Sequence, residues 1–205
     1  MELFRPFALI TASLDGDVLH ALITSEYGLT SGQIRNICKR GSRSGVIKVL
    51  DRLVEQGIVI QVPSDRIFIY YLNRNHLIAD ALQTIANAQS SWQSELVAMV
   101  AAWERRPEFV GIIGKARTFH HAATDPIELL IVLPEYAEPK EFTDDIEHLR
   151  ATSKEQTGSE TVVLVHTVYS LCEVPAMQVL GWFYEHTLIY GNPQPLRDAS
   201  MAGVD

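Results

Sequence analysis

The chain of 205 residues has no long uninterrupted apolar run, only two cysteines, no internal repeat and no low-complexity tract. Without such a run no transmembrane helix is expected. The opening stretch, Met1 to Asp17, carries acids near both ends around a short apolar run, which does not match a secretory signal. Cys38 and Cys172 fall in different expected domains, which argues against a disulfide framework and for buried small hydrophobes or free thiols. These absences together point to the cytoplasm. Positive charge is also scarce: the net charge is −8, so any surface for an anionic partner must be local. Hydrophobic residues make up 47% and charged residues 20%, the balance of an ordinary globular chain with room for one large or two small domains. The tail Pro193 to Asp205, rich in Pro, Ala and Gly, is expected to fray.

The most informative text runs from Leu29 to Asn75. Thr30 or Ser31 supplies an N-cap for a helix that buries Ile34 and Ile37. A tight turn through Arg40 and Gly41 follows. Ser42 or Ser44 starts a second helix, whose stripe Val46, Val49, Leu50, Leu53, Val54 has helical period. Gly57 stands where a helix needs a left-handed residue to stop. Ile58, Ile60, Val62 and then Ile67, Ile69, Tyr71 alternate on either side of Pro63-Ser64-Asp65-Arg66, the pattern of a hairpin. Helix, glycine-containing turn, helix and hairpin is the order of a winged helix-turn-helix, a module that lays its second helix in the major groove of DNA.

Charge is concentrated in the same place. Between Thr30 and Arg74 there are eight basic and three acidic side chains, a local net of +5. Residues 1–90 carry 9 basic and 8 acidic side chains, whereas residues 91–205 carry 8 and 17. Phosphate contacts supply most non-specific affinity for DNA, so a basic patch inside an acidic chain says more than the overall charge. The competing interpretation is a solvated helical face, or a winged helix used for protein contact.

Residues of about 15 to 85 resemble the winged-helix domains of the MarR and ArsR groups of bacterial regulators. The matching segments are VLHALI, LTSGQI, SRSGVIKVLDRLVEQGIV and RIFIYYLNRNHL. The resemblance implies a reading helix that contains Ser42, Arg43, Ser44, Gly45, Lys48 and Arg52, with Arg66 in the wing. In that arrangement Arg43, Ser44 and Lys48 contact base edges and nearby phosphates, Arg35 and Arg52 contact phosphate, and Arg66 reaches the minor groove or backbone. It also implies two copies acting together on double-stranded DNA. No metal-ligand cluster accompanies Cys38, so a metal effector is not implied.

From Asn75 the text has long helical periodicity. Leu77, Ala81, Leu82, Ile85 and Ala88 share one face; Trp92, Leu96, Met99, Val100 and Trp103 share another. Ser90-Ser91 marks an expected break, with Ser91 a cap, and Pro107 ends the second segment. The first stripe suits equally a dimerising or linking helix and a core helix; the second favours a core.

Beyond Phe109 the text VGII, Gly114, a polar turn, then IELLIVL, followed by TVVLVHT and LIYGNP, resembles the nucleotidyltransferase superfamily that includes polymerase beta. Two metal ions in that family are held by carboxylates at i and i+2 of one strand and by a third on the next. Here Pro126 takes the first position and Glu128 the second; Asp125 is one place off; Thr161 to Val168 has no carboxylate; and Lys115 follows Gly114 where a small residue is usual. The resemblance therefore implies a kept fold with lost catalysis. Gly114, Lys115, Arg117, Asp125 and Glu128 remain as a candidate ligand site, open to a nucleotide or other small ligand. No catalytic residue, metal ligand or cofactor is assigned. His120-His121 are expected to be exposed loop residues. Trp182, Phe183 and Tyr184 fit burial in a core better than a protein-docking face.

The expectation is an α+β chain with a winged helix at residues 1–88 and a small α/β nucleotidyltransferase-like domain with a mixed sheet at 89–205. Its expected function is DNA-binding transcription regulation, with the second domain sensing a ligand or contacting a protein. The alternatives are a metal-dependent nucleotidyltransferase and an antitoxin-like partner protein.

Overall fold

The computed structural model describes residues 2, 5–117, 122 and 124–202. They form two compact units of mixed α and β structure, Glu2 with 5–89 in one and 90–202 in the other.

In the first unit, α1 (Leu14–Thr24) is followed by the two-residue strand β1 (Leu29–Thr30), α2 (Ser31–Cys38), α3 (Arg43–Glu55) and the hairpin β2 (Val59–Ser64) and β3 (Ile67–Leu72). Local chemistry sets each boundary. The Thr30 hydroxyl accepts the Gln33 N–H at 3.2 Å while Gln33 Oε1 accepts the Thr30 N–H at 2.8 Å, a closed capping box. Ser42 Oγ caps α3 by accepting the Gly45 N–H at 3.1 Å. At the other end of α3 the Gly57 N–H reaches the Val54 carbonyl and the Ile58 N–H reaches the Leu53 carbonyl. Gly57 has φ +75°, so this Schellman closure needs a residue without Cβ strain.

The core of this unit forms where these stripes meet. Ile34, Val46 and Leu50 are fully buried with Val18, Leu22 and Leu53 around them. Full burial of one such side chain stabilises by about 1.5–3 kcal/mol. Ile37, expected inside, is 45% exposed. The buried stripe of α2 passes instead from Ile34 to Cys38, one turn on, and Ile37 lies to its side.

The sheet order is β1-β3-β2, all antiparallel. β1 carried no pattern of its own and exists through its register with Tyr70 and Ile69. The hairpin turn is shorter than expected: Pro63 pairs with Phe68 and Ser64 with Ile67, leaving Asp65-Arg66 as the turn. Proline is tolerated there because β2 is an edge strand. The polypeptide then enters α4 (Ala79–Ala86) and α5 (Ala88–Ala102). The break lies at Asn87, not at Ser90-Ser91, which sit inside α5. Leu77 precedes α4 and is 96% exposed, so the buried face of α4 is Ala79, Leu82 and Ala86. On α5, Trp92, Leu96 and Val100 are buried.

The second unit holds a four-stranded mixed sheet of order β6-β5-β4-β7. Strand β4 (Phe109–Ile113) runs antiparallel to β5 (Ile127–Leu133) and to β7 (Thr187–Gly191), and β5 runs parallel to β6 (Thr161–Thr167). Helix α6 (Thr143–Thr157) connects the parallel pair, and α7 (Val168–Leu171), α8 (Ala176–Tyr184) and α9 (Gln194–Ala202) complete the unit. Residues 129–133 of β5 are fully buried, as expected of a strand covered on both faces. Phe109, Ile113, Leu130 and Val132 pack with Leu171, Val179 and Leu196. A satisfied polar belt fixes the start of β6: Thr157 Oγ1 donates to the Ser153 carbonyl at 2.7 Å, and Thr161 Oγ1 donates to Ser153 Oγ at 3.2 Å.

Two expectations fail here. The tail from 194 to 202 is helix, because Leu196 and Ala199 lie one turn apart and both bury, and Asn192 Oδ1 accepts the Gln194 N–H at 2.9 Å. Tyr184 is 75% exposed, whereas Trp182 and Phe183 pack on the core.

Candidate functional site

Three elements of the first unit converge on one open groove of about 740 Å³. The N-terminal turn of α2 contributes Thr30, Ser31 and Gly32, and its flank adds Arg35 and Asn36. The first residue of α3, Arg43, lies on one wall with Ile47 and Asp51, spaced i, i+4, i+8. The hairpin brings Gln61, Arg66, Ile67, Phe68 and Tyr70. Three guanidiniums from three separate elements thus share a groove with one carboxylate. A helix N-terminus beside them adds further positive potential. Burial, and then the Asp51 carboxylate, raise the Tyr70 pKa, so that hydroxyl stays protonated as a donor.

The remaining basic residues divide by what they touch. Lys48 is exposed on α3, off the buried stripe. Arg52 is ion-paired with Asp15 at the start of α1. Arg40 is committed to structure: it bonds the Asp17 carboxylate and the carbonyls of Ala12 (3.1 Å) and Ser13 (2.8 Å). Asp17 also accepts Arg5 Nε at 3.0 Å, so it ties the N-terminal segment and the α2–α3 turn to α1. Ser42 spends its oxygen on the cap of α3, and its hydroxyl lies 3.0 Å from that of Ser44.

In the second unit, β4 ends at Gly114, which opens a short 3-10 turn, Gly114–Arg117. Glu128 pairs across from Ile113, and a Cβ placed on Gly114 would lie 2.8 Å from Glu128 Oε2. With φ +65° as well, Gly114 is held by close approach of that carboxylate. Lys115 Nζ lies 3.3 Å from Asp125 Oδ1, and Asp125 Oδ2 accepts the Ala122 N–H at 3.0 Å. Asp125 precedes β5, so Asp125 and Glu128 are not companions on one strand. β6 brings no carboxylate to its parallel neighbour. The Arg117 side chain and His120-His121 lie outside the described residues. Among the described residues, no group of three or more His, Cys, Asp or Glu side chains is placed to hold a metal ion, and no helix is long and apolar enough to cross a membrane.

No family model, no curated protein and no solved structure matches this chain.

Sequence reasoning had named Arg35, Arg43 and Arg66, which the groove brings together. It missed Asn36, Asp51, Gln61 and Tyr70 on the same walls. Asp51 had a usable signal, the spacing of eight from Arg43 along α3. Gln61 and Tyr70 had one only through the hairpin register, which pairs them directly.

Proposed function

We propose that this protein is a DNA-binding regulator whose first unit is a winged helix and whose second unit is a nucleotidyltransferase-like fold working as a sensor or interaction domain. The observation that carries the proposal is the shared groove of Arg35, Arg43 and Arg66. Positive groups on a helix flank, at the start of a second helix and at a hairpin tip are spaced to meet a duplex along its backbone and groove together. Arg43, Ser44 and Lys48 read base edges and nearby phosphates from the exposed face of α3. Arg35 and Arg66 hold phosphate. Arg52 contributes less, because Asp15 already neutralises it.

An active nucleotidyltransferase is the rival reading, and the chemistry supports it less. Two-metal transfer needs converging carboxylates, whereas Asp125 is engaged with Lys115 and the Ala122 N–H, and Glu128 stands against Gly114. Selection from random-sequence duplex pools by the purified chain, at two salt concentrations, tests the proposal. Enrichment of a defined site supports it. If labelled nucleoside triphosphate with magnesium or manganese is transferred instead, and Glu128→Ala abolishes the transfer, the rival is right.

A further inference from the structure

We infer that β6 is a pairing edge through which two copies of this chain join by antiparallel strand addition. β6 stands at the end of its sheet and pairs with β5 on one side only. Among the described residues, no backbone hydrogen bond outside that ladder involves residues 161–166. Every second N–H and C=O of the strand therefore points away from β5 with no backbone partner.

Sheet proteins normally blunt such an edge with charge, proline or a bulge. The sequence Thr161–Thr167, TVVLVHT, holds no Asp, Glu, Lys, Arg, Pro or Gly. The opposite edge is blunted: β7 has five residues, shifts register against β4 between Val110 and Gly111, and ends at a glycine. Burial shows the same asymmetry. Residues 129–133 of β5 are fully buried, yet their β6 neighbours Val163, Leu164 and Val165 are only half-buried, and Val162 is 43% exposed. A further strand alongside would cover them.

The occupant that fits is a second copy. Antiparallel pairing about Leu164 sets Leu164 against itself, Val163 against Val165, Val162 against His166 and Thr161 against Thr167. Each is a like-sized match with no facing like charges. A two-fold axis makes both halves of such an interface identical. The groove of about 580 Å³ beside β6 and α6 carries Lys140 and Arg150 against Glu147 and Glu160, a balanced set. Balance suits self-association and gives no basis for attracting a polyanion or a highly charged peptide. Joining two sheets of four strands yields one continuous sheet across the pair. The inference concerns the second unit alone and does not depend on DNA binding.

Sedimentation equilibrium of the full chain without DNA tests it, together with two variants. The wild type is expected to be a reversible dimer. Val162→Lys, at an already exposed position, is expected to weaken association by about tenfold or more while leaving the circular dichroism spectrum unchanged. Leu164→Cys in a Cys172→Ser background is expected to cross-link to a covalent dimer on mild oxidation, since facing residues of antiparallel strands lie within disulfide reach. A wild type that stays monomeric at about 100 μM, well above the μM range of a specific pair, overturns the inference. So does a dimer that Val162→Lys leaves intact and Leu164→Cys does not cross-link, or an edge that pairs only with a different protein.

Discussion

Arg43 and Arg52 lie nine residues apart on one helix and differ in what they are free to do. Arg43 heads α3 on the wall of the groove, while Arg52 is held by Asp15. Arg43→Ala is expected to weaken binding to a selected site by about 1–3 kcal/mol, with Arg52→Ala losing less. Titration of both variants against the same duplex decides; equal losses would show that Asp15 does not withhold Arg52. The two thiols are another such pair. Burial pushes Cys38 up to about 11, whereas Cys172 is exposed and free. At pH 8 only about one Cys38 in a thousand is thiolate. Iodoacetamide followed by mass spectrometry is therefore expected to modify Cys172 first, and early labelling of Cys38 would contradict its packing. Ordinary residue patterns made Ile34, Val46 and Leu50 legible as core. Ile37 misled because an eight-residue helix has room for only one buried stripe, and that stripe runs through Cys38.

Among elements, legibility followed local chemistry. α2 and α3 were readable because Thr30 with Gln33, Ser42, and Gly57 each close a helix end through bonds within a few residues. Thr30→Ala opens the capping box and is expected to cost about 1 kcal/mol in urea unfolding, with a loss below a few tenths contradicting the role of the cap. Elements defined by partners far along the chain were not readable. β1 has two residues and depends on β3. α9 exists because Leu196 finds Val179 and Phe109, not because of its Pro- and Ala-rich text. The break before α5 fell at Asn87, where the serine pair had suggested a later one, because serine inside a helix can bond its own preceding turn, as Ser94 Oγ does with the Ser90 carbonyl at 2.9 Å. The candidate groove was half legible for the same reason. The arginines declared themselves by charge, but Gln61 and Tyr70 entered only through register.

Two buried histidines give the whole molecule a pH dependence. His20 in α1 and His166 in β6 are both held below the ordinary value of 6.5, mainly by burial, with Asp17 partly opposing this at His20. The unfolded chain then takes up protons more readily than the folded one. Their contribution is fully present above 6.5 and is lost as pH falls through the depressed folded values. Unfolding free energy is expected to decline from pH 7.5 to about pH 5, and His166→Gln is expected to flatten part of that decline beyond what the carboxylates cause. An unchanged pH profile in His166→Gln would show that this imidazole does not contribute. Charge also divides the molecule, since the groove lies in the half that carries 9 basic and 8 acidic residues while the half with 8 and 17 holds the mixed sheet. The central claim is that the first half meets DNA.

The most direct test is selection of random-sequence duplexes at two salt concentrations, followed by affinity measurement on the winners as salt is varied. The account expects a two-fold symmetric site and an affinity that falls steeply with salt, with a slope that Arg35→Ala reduces by about 1. No enriched sequence, or a slope indifferent to Arg35, Arg43 and Arg66, would contradict it.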